Sequence, residues 1–599
     1  MTINRNDRVK DPGGITPGVI VGAGLFGAGV TASGVIWLSA TLANKLAGVE
    51  LTSTYPERVF GVFYGKTPWP DSAWWFVAAC FLVLAALGTL AVVSWSRSRR
   101  RKTRVDPASR HMATMKDLQS LSPQGAAATA ERLHVTGHIG VPIGKHLATG
   151  TPLYGSWEDV HVDIWGPRQG KSASRAIPAI LDAPGAVLTT SNKRDVVDAT
   201  RDPRSKKGRV WVFDPQQVAD EPSDQWYWNP LSYVVDEDSA LSLAQHFAHA
   251  SREAGAKTDA YFDNVGMNLL ADLILAAALS SKPVTQVYQW VTRPTNTDAV
   301  EILEQHGYQL QADRLSGSIN KTERQRDGIF GTAEQMVACL TSKKIQRWTC
   351  KQGEDDIREE FDPHQFVRSS DTLYSLSMEG VGSAGPIVTA LTVAVAEAAV
   401  DYAKKSRGGR LPTPMVLVLD EAANVCRWKQ LPDLYSHYGS RGIVLMVILQ
   451  SWSQGVEVWG ERGMAKLWSA ANIRVYGGNV DEEKFLEDRS KIIGEHDRIR
   501  VSTSTSGGGM GNRSVSRQVH RERTMTAADL AALPKGRAIV FSAGNRAALV
   551  RTVPWMHGPH ADAVAASILA HDPKGEETLQ AEIIELHRVE AELEELEAA

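Results

Sequence analysis

The run Trp165-Gly166-Pro167-Arg168-Gln169-Gly170-Lys171-Ser172 joins the residue types that hold a phosphate chain. Gly170 lets backbone N–H groups approach anionic oxygens, and the N-terminal end of a following helix adds its positive dipole. Lys171 can reach β- and γ-phosphates, and Ser172 can supply a Mg²⁺ ligand. The cradle therefore spans Gly166, Pro167, Arg168, Gln169, Gly170, Lys171 and Ser172, close to the pattern G-x-x-x-x-G-K-S/T. It departs at one point: Gly166 stands one residue too close to Lys171, with Trp165 at the usual glycine position. A single match of this kind also arises in chance loops.

A second segment makes chance a poor account. Pro414-Met415-Val416-Leu417-Val418-Leu419-Asp420-Glu421 is a continuous apolar run that ends in two carboxylates, as a parallel strand buried on both faces would. Ligands of open α/β sheets bind at the C-terminal strand edge. Asp420 would hold Mg²⁺ through water, and Glu421 would act as general base toward the attacking water. A third strand, 442–449, delivers Gln450, which can contact the γ-phosphate or the lytic water or simply cap a strand-to-helix turn. Arg441 precedes that strand, at the opposite edge. It is either a plain surface arginine or a group that reaches a neighbouring subunit's ATP. The site thus calls for ATP and Mg²⁺, with Ser172 and Asp420 on the metal and Glu421, Gln450 and Arg441 in the chemistry.

These residues need strands and helices to carry them. A strand over 161–165 enters the phosphate loop and a helix over 173–181 leaves it. From about 236 to 360 strand patterns vanish, and apolar residues recur at three- and four-residue spacing, as at Leu269, Leu270, Leu273, Ile274 and Ala277. Strand-like runs return at 372–376, so the sheet is split around a helical unit. That unit carries Lys321, Arg324, Arg326, Lys343, Lys344, Arg347 and Lys351 with Trp348 among them, which reads as a DNA contact surface or as a solvated helix face. Residues 501–516 are rich in Ser, Thr and Gly and read as a long loop or flexible hairpin. The tail from 576 is acidic, with Leu579, Ile583, Leu586, Val589 and Leu593 spaced for one apolar stripe.

Two charge-poor runs lie before all of this. The stretch 15–43 and the stretch 72–96 each exceed the ~20 residues that cross a ~30 Å hydrocarbon core. Basic Arg5, Arg8 and Lys10 precede the first, and Arg97, Arg99, Arg100, Arg101, Lys102 and Arg104 border the second, so both ends face the cytoplasm and 45–71 forms a short external loop. A cleaved signal peptide is the competing reading of the first run, and its length and the second run argue against it. The formal charge of −3 over 599 residues gives no global polyanion-binding field, so nucleic-acid contacts must come from local patches. The four cysteines, Cys80, Cys339, Cys350 and Cys426, form no short-spaced pair and read as reduced thiols.

Taken together, the two spans, the 166–172 loop, Val187-Leu188-Thr189-Thr190-Ser191-Asn192-Lys193, Val212-Phe213-Asp214-Pro215, Trp228-Asn229-Pro230-Leu231, Thr372-Leu373-Tyr374, the Asp420-Glu421 strand and Gln450-Ser451 with Gln454 resemble the VirD4/TraG-type conjugative coupling proteins, the actinobacterial branch in particular. The resemblance implies an α/β fold: a RecA-like P-loop motor domain with an inserted all-helical domain, preceded by two transmembrane helices. It also implies a homo-hexamer in the inner membrane that hydrolyses ATP to move a DNA strand, single-stranded with its attached relaxase, towards type IV secretion-channel subunits. The expected layout is a membrane anchor over 1–104, linker and first part of the nucleotide-binding domain over 105–235, the helical insert over 236–365, the second part over 366–560 and the acidic tail over 561–599. The alternatives are an FtsK-like DNA translocase independent of secretion and a non-hydrolysing membrane receptor for a nucleoprotein substrate.

Overall fold

The structure is a computed structural model that describes residues 17–99, 103–251, 260–380, 383–506 and 512–598. It divides into two units, 1–101 and 102–599. Arg5, Arg8 and Lys10, the start of the first span and the cluster Arg100, Arg101 and Lys102 lie outside the described residues.

In the first unit both charge-poor runs are helices, α1 (Pro17–Leu46, 30 residues) and α3 (Ser72–Arg99, 28 residues). At a rise of about 1.5 Å per residue each exceeds 40 Å, more than the ~30 Å hydrocarbon thickness. Trp74, Trp75, Phe81 and Leu82 of α3 are exposed, as suits a helix whose surroundings are apolar. The intervening segment is not merely a loop. It holds α2 (Tyr55–Phe63), opened by a capping box between Thr54 and Glu57 with proline in the first turn. Arg58 ties that helix back, donating to Thr41 Oγ1 at 2.8 Å and to the Ser53 carbonyl at 2.8 Å.

The second unit is built on one eleven-stranded sheet. Its strands in chain order are β1 (Val141–His146), β2 (Pro152–Gly155), β3 (His161–Ile164), β4 (Val187–Ser191), β5 (Val210–Phe213), β6 (Thr372–Leu376), β7 (Met415–Leu419), β8 (Ile443–Leu449), β9 (Ile473–Tyr476), β10 (Arg537–Ser542) and β11 (Ala548–Arg551). Across the sheet they run β2-β1-β11-β10-β9-β3-β8-β7-β4-β6-β5. From β9 to β5 all neighbours are parallel, while β10, β11, β1 and β2 add an antiparallel wing. The central β7 and β8 are buried at every position, which is why their sequences are unbroken aliphatic runs. Register pairs Leu449 with Ile164 and Val447 with Leu419, so β3, β7 and β8 end at one edge.

Between β5 and β6 the chain forms eight α-helices among the described residues, from Glu237–Ala250 to Pro363–Phe366. The split of the sheet is as the periodicity indicates. Two details differ. Glu359–Glu360 pairs in parallel with Trp226–Tyr227, so the insert is not wholly helical. Trp348 is buried, 5.3 Å from Trp226 and 5.4 Å from Phe213 between ring centroids. Its indole fills the junction of insert and sheet and offers no face to a base; charge spacing around it carries no information on burial. Two further helices, Tyr261–Leu279 and Gly385–Lys405, are long and apolar enough to cross a membrane, yet 56% and 78% of their most apolar windows are buried in this unit, which makes them core helices.

The Ser/Thr/Gly-rich segment is a hairpin of two twelve-residue strands, Glu495–Ser506 and Asn512–Arg523. The tail is the helix Gly575–Ala598, whose Leu579 packs with Trp555, Val564 and Ile568. Ile583, on the expected apolar stripe, is 46% exposed, so only part of that stripe is used.

Candidate nucleotide site

The phosphate loop leaves β3 at Trp165 and enters a helix at Lys171. Trp165 is 1% exposed and packs with Leu118, Ile143, Leu153 and Val475, its ring lying against Gly477. The loop therefore opens at Gly166, beyond a core tryptophan. A Cβ on Gly166 would sit 1.8 Å from the carbonyl oxygen of Asn479, so no larger residue fits. Asn479 also donates from Nδ2 to the Pro167 carbonyl at 3.0 Å, a clamp that sequence reading missed. The short loop turns through two left-handed residues, Arg168 at φ 60° and Gly170 at φ 78°. Arginine in that region carries strain, which clusters at ligand-binding turns.

The helix after the loop opens with a π-turn over Ser172–Ala176 before Ile177–Asp182. Such turns are rare and concentrate at functional sites. Arg175 in this turn is fully buried and donates from Nε to Asp163 Oδ2 at 2.6 Å, with Nη2 3.1 Å from His161 Nδ1. Burial pushes the Asp163 carboxyl up and the Arg175 guanidinium opposes it. The pair fixes the helix to the strand that feeds the loop, which sets where Lys171 and Ser172 point.

Four of the residues singled out by their chemistry meet at this edge. Lys171 Nζ lies 3.0 Å from Asp420 Oδ1 and also bonds Glu421 Oε1. Gln450 Nε2 donates to Glu421 Oε1 at 2.6 Å. Burial pulls the Lys171 ammonium down, but the Asp420 and Glu421 carboxylates outweigh it and its pKa is raised. Asp420 is pushed up to about 6, by burial first, against the pull of Lys171. Glu421 has left-handed φ 53° and ψ 41°, unusual for a non-glycine residue, and begins the short helix Ala422–Val425. Thr190 Oγ1 at the end of β4 donates to the Asp420 carbonyl at 3.0 Å and steadies the turn. Beside the loop, Ser172, Lys193, Asp195 and Glu582 line a pocket of 460 Å³.

Arg441 is not brought to this site. Its Nη1 donates to the His437 carbonyl at 2.8 Å, and it sits before the N-terminal end of β8, whose other end carries Gln450. Residues missed in sequence, besides Asn479, are Asp195 and Glu582 on the pocket wall. Only Asp195 had a signal, its place just after the Ser191-Asn192-Lys193 strand end.

The donor set suits a nucleotide with Mg²⁺. Ser172 and Asp420 are a hydroxyl and a carboxylate, and Mg²⁺ is commonly held by one or two such groups with phosphate oxygens and water. Gln169 Oε1 is buried in the loop without a hydrogen-bond partner, an orphaned polar atom where a ligand would lie. Bound there, Mg²⁺ would neutralise phosphate charge.

Fold and site together define a P-loop nucleotide-binding protein of RecA-like topology, with the phosphate-loop strand, the Gln450 strand and the acidic strand adjacent in that order. Residues 414–535 match the family model described as the TraM recognition site of TraD and TraG. None of the curated proteins matches the sequence. Among solved structures, the chain is similar to the bacterial conjugative coupling protein TrwBdeltaN70 in unbound form (18% identity, 69% of this chain and 88% of that one, TM-score 0.48). It is also similar to the plasmid coupling protein TrwB in complex with ADP and Mg²⁺ (16%, 69% and 90%, TM-score 0.49). A third is VirB4 of Thermoanaerobacter pseudethanolicus (13%, 71% and 98%, TM-score 0.38).

Proposed function

We propose that this protein is a membrane-anchored ATPase that couples ATP hydrolysis to the recruitment of relaxase-bound DNA and its translocation towards a type IV secretion channel. The observation that carries the reading is the meeting of Lys171, Asp420, Glu421 and Gln450 at one strand edge. On this reading Lys171 and the loop amides hold the phosphates, and Glu421 accepts a proton from the attacking water while Gln450 orients them. Ser172 and Asp420 hold the metal. The match over 414–535 supports conjugation as the setting. The lengths and apolar surfaces of α1 and α3 support a two-pass anchor in the inner membrane with both termini cytoplasmic. A homo-hexamer would let Arg441 serve the neighbouring protomer's site.

The test is ATP turnover by the full chain in lipid nanodiscs, with and without single-stranded DNA, beside Lys171→Ala. Turnover that DNA stimulates and Lys171→Ala abolishes is expected. An inert wild-type protein would leave a non-hydrolysing receptor, and stimulation by duplex DNA alone would favour the secretion-independent translocase.

A further inference from the structure

The tail helix Gly575–Ala598 runs along the mouth of the nucleotide site. Thr578 and Glu582, one turn apart, line the same pocket as Ser172, Lys193 and Asp195. One turn further on, Glu585 Oε1 accepts from Lys535 Nζ at 2.7 Å and from Arg588 Nη2 at 2.9 Å. Lys535 is itself beside the phosphate loop: its Cε is 3.9 Å from where a Cβ on Gly170 would stand. Gly170 is the residue whose missing side chain admits phosphate.

Two features of this contact are those of a ligand's substitute. A glutamate carboxylate offers an ammonium the same thing as a phosphate, anionic oxygens at charge-assisted hydrogen-bond distance. And the second acid on this face is poorly settled. Glu582 Oε2 is buried with no hydrogen-bond partner within 3.5 Å, and the Trp555 side chain eases its charge only in part. Burial, then the nearby Asp195 carboxylate, push Glu582 up to about 7. A helix held only for packing would have an apolar residue there; instead it brings carboxylates to the rim of a site built for a polyanion.

Resting on the ATPase reading, we propose that Lys535 is a further phosphate-contacting residue, and that without nucleotide the tail helix holds its ammonium through Glu585. Triphosphate and tail then compete for one lysine. Binding takes Lys535 from Glu585, and repulsion between phosphate and the Glu582 and Glu585 carboxylates loosens the helix from the mouth. The tail is thereby a restraint on nucleotide entry.

The test measures binding of a fluorescent ATP analogue to the full chain in nanodiscs. Lys535→Ala should weaken binding about tenfold, the size of one lost charge-assisted hydrogen bond, and Lys535→Arg should restore most of it. Glu585→Gln, which removes the negative charge that holds Lys535, should tighten binding several-fold. Lys535→Ala combined with Glu585→Gln should bind like Lys535→Ala alone, because the competitor matters only while the lysine is there. A merely structural bridge would give equal losses of melting temperature for Lys535→Ala and Glu585→Gln with unaltered affinity, and that result overturns the proposal. So does weaker binding by Glu585→Gln. Lys171→Ala separates the two readings: if it turns over ATP like wild type, the nucleotide site itself is wrong. If it is dead while the Lys535 and Glu585 variants bind as wild type, only the role of Lys535 fails.

Discussion

The ammonium of Lys171 lies 3.0 Å from Asp420 Oδ1 and bonds Glu421 as well, so the cation that would serve phosphate is already paired with both acids of the strand edge. Its side chain is 17% exposed, and removing it leaves two buried carboxylates without their cation. Glu421→Gln is the cleaner probe. The amide oxygen can still accept from Gln450, but it cannot take the water's proton. Turnover should fall by about 10²–10⁴ while ATP affinity stays within about threefold. Loss of binding measured with the same analogue would remove Glu421 from the role of base.

Much of this site was legible because its residues are forced into pattern. Aliphatic runs buried on both faces announce β7 and β8, and the loop announces itself by glycine, lysine and serine. What was illegible depends on contacts between distant segments. Nothing local distinguishes Asn479 from any loop asparagine, though its carbonyl decides that position 166 must be glycine. Trp348 read as a surface aromatic among cations, and its burial is set by Trp226 and Phe213 from another part of the chain. Acidic periodicity in the tail said helix, not that Glu585 would meet Lys535.

The short loop yields a second prediction. Gly166→Ala drives a methyl into the Asn479 carbonyl, so the loop must shift and nucleotide affinity should drop at least about tenfold with the fold retained. Trp165→Gly, which restores the usual glycine spacing, should not improve binding. It empties a core site and should cost about 3–5 kcal/mol of stability, by analogy with other large-to-small aromatic deletions. Calorimetry and the binding assay read both. Tighter binding by Trp165→Gly would mean that the tryptophan, not Gly166, obstructs the cradle.

Acid should destabilise the second unit through its buried histidines. Burial, aided by His249, holds His246 down at about 3, and burial with Arg175 holds His161 well below its ordinary range. Between about pH 3 and 6.5 the unfolded chain binds a proton at position 246 that the folded one refuses, so stability falls as pH drops below 6.5. At pH 5.5 the His246 share is about 1.4 kcal/mol. His246→Gln should therefore narrow the gap in melting temperature between pH 7.5 and pH 5.5, with His161 still contributing. An unchanged gap would mean that the imidazole is protonated in the fold.

Arg441 tests the ring. It sits before the first residue of the seven-residue β8, and at about 3.3 Å per residue that puts it more than 20 Å from Gln450 at the other end, too far to serve its own ATP. Its guanidinium donates to the His437 carbonyl, which ties it to its helix end without neutralising it. If that charge completes a neighbour's site, Arg441→Ala must abolish turnover while ATP binding is normal. Loss of a plain surface charge would change little, whereas arginines that stabilise phosphoryl transfer from an adjacent chain are worth about 10³–10⁵ in rate. Mixing Arg441→Ala with Lys171→Ala subunits should then restore some activity, since interfaces arise in which an intact phosphate loop faces an intact arginine. Neither variant can do so alone. Full turnover by Arg441→Ala, or no rescue in proven mixed assemblies, would remove the residue from the mechanism.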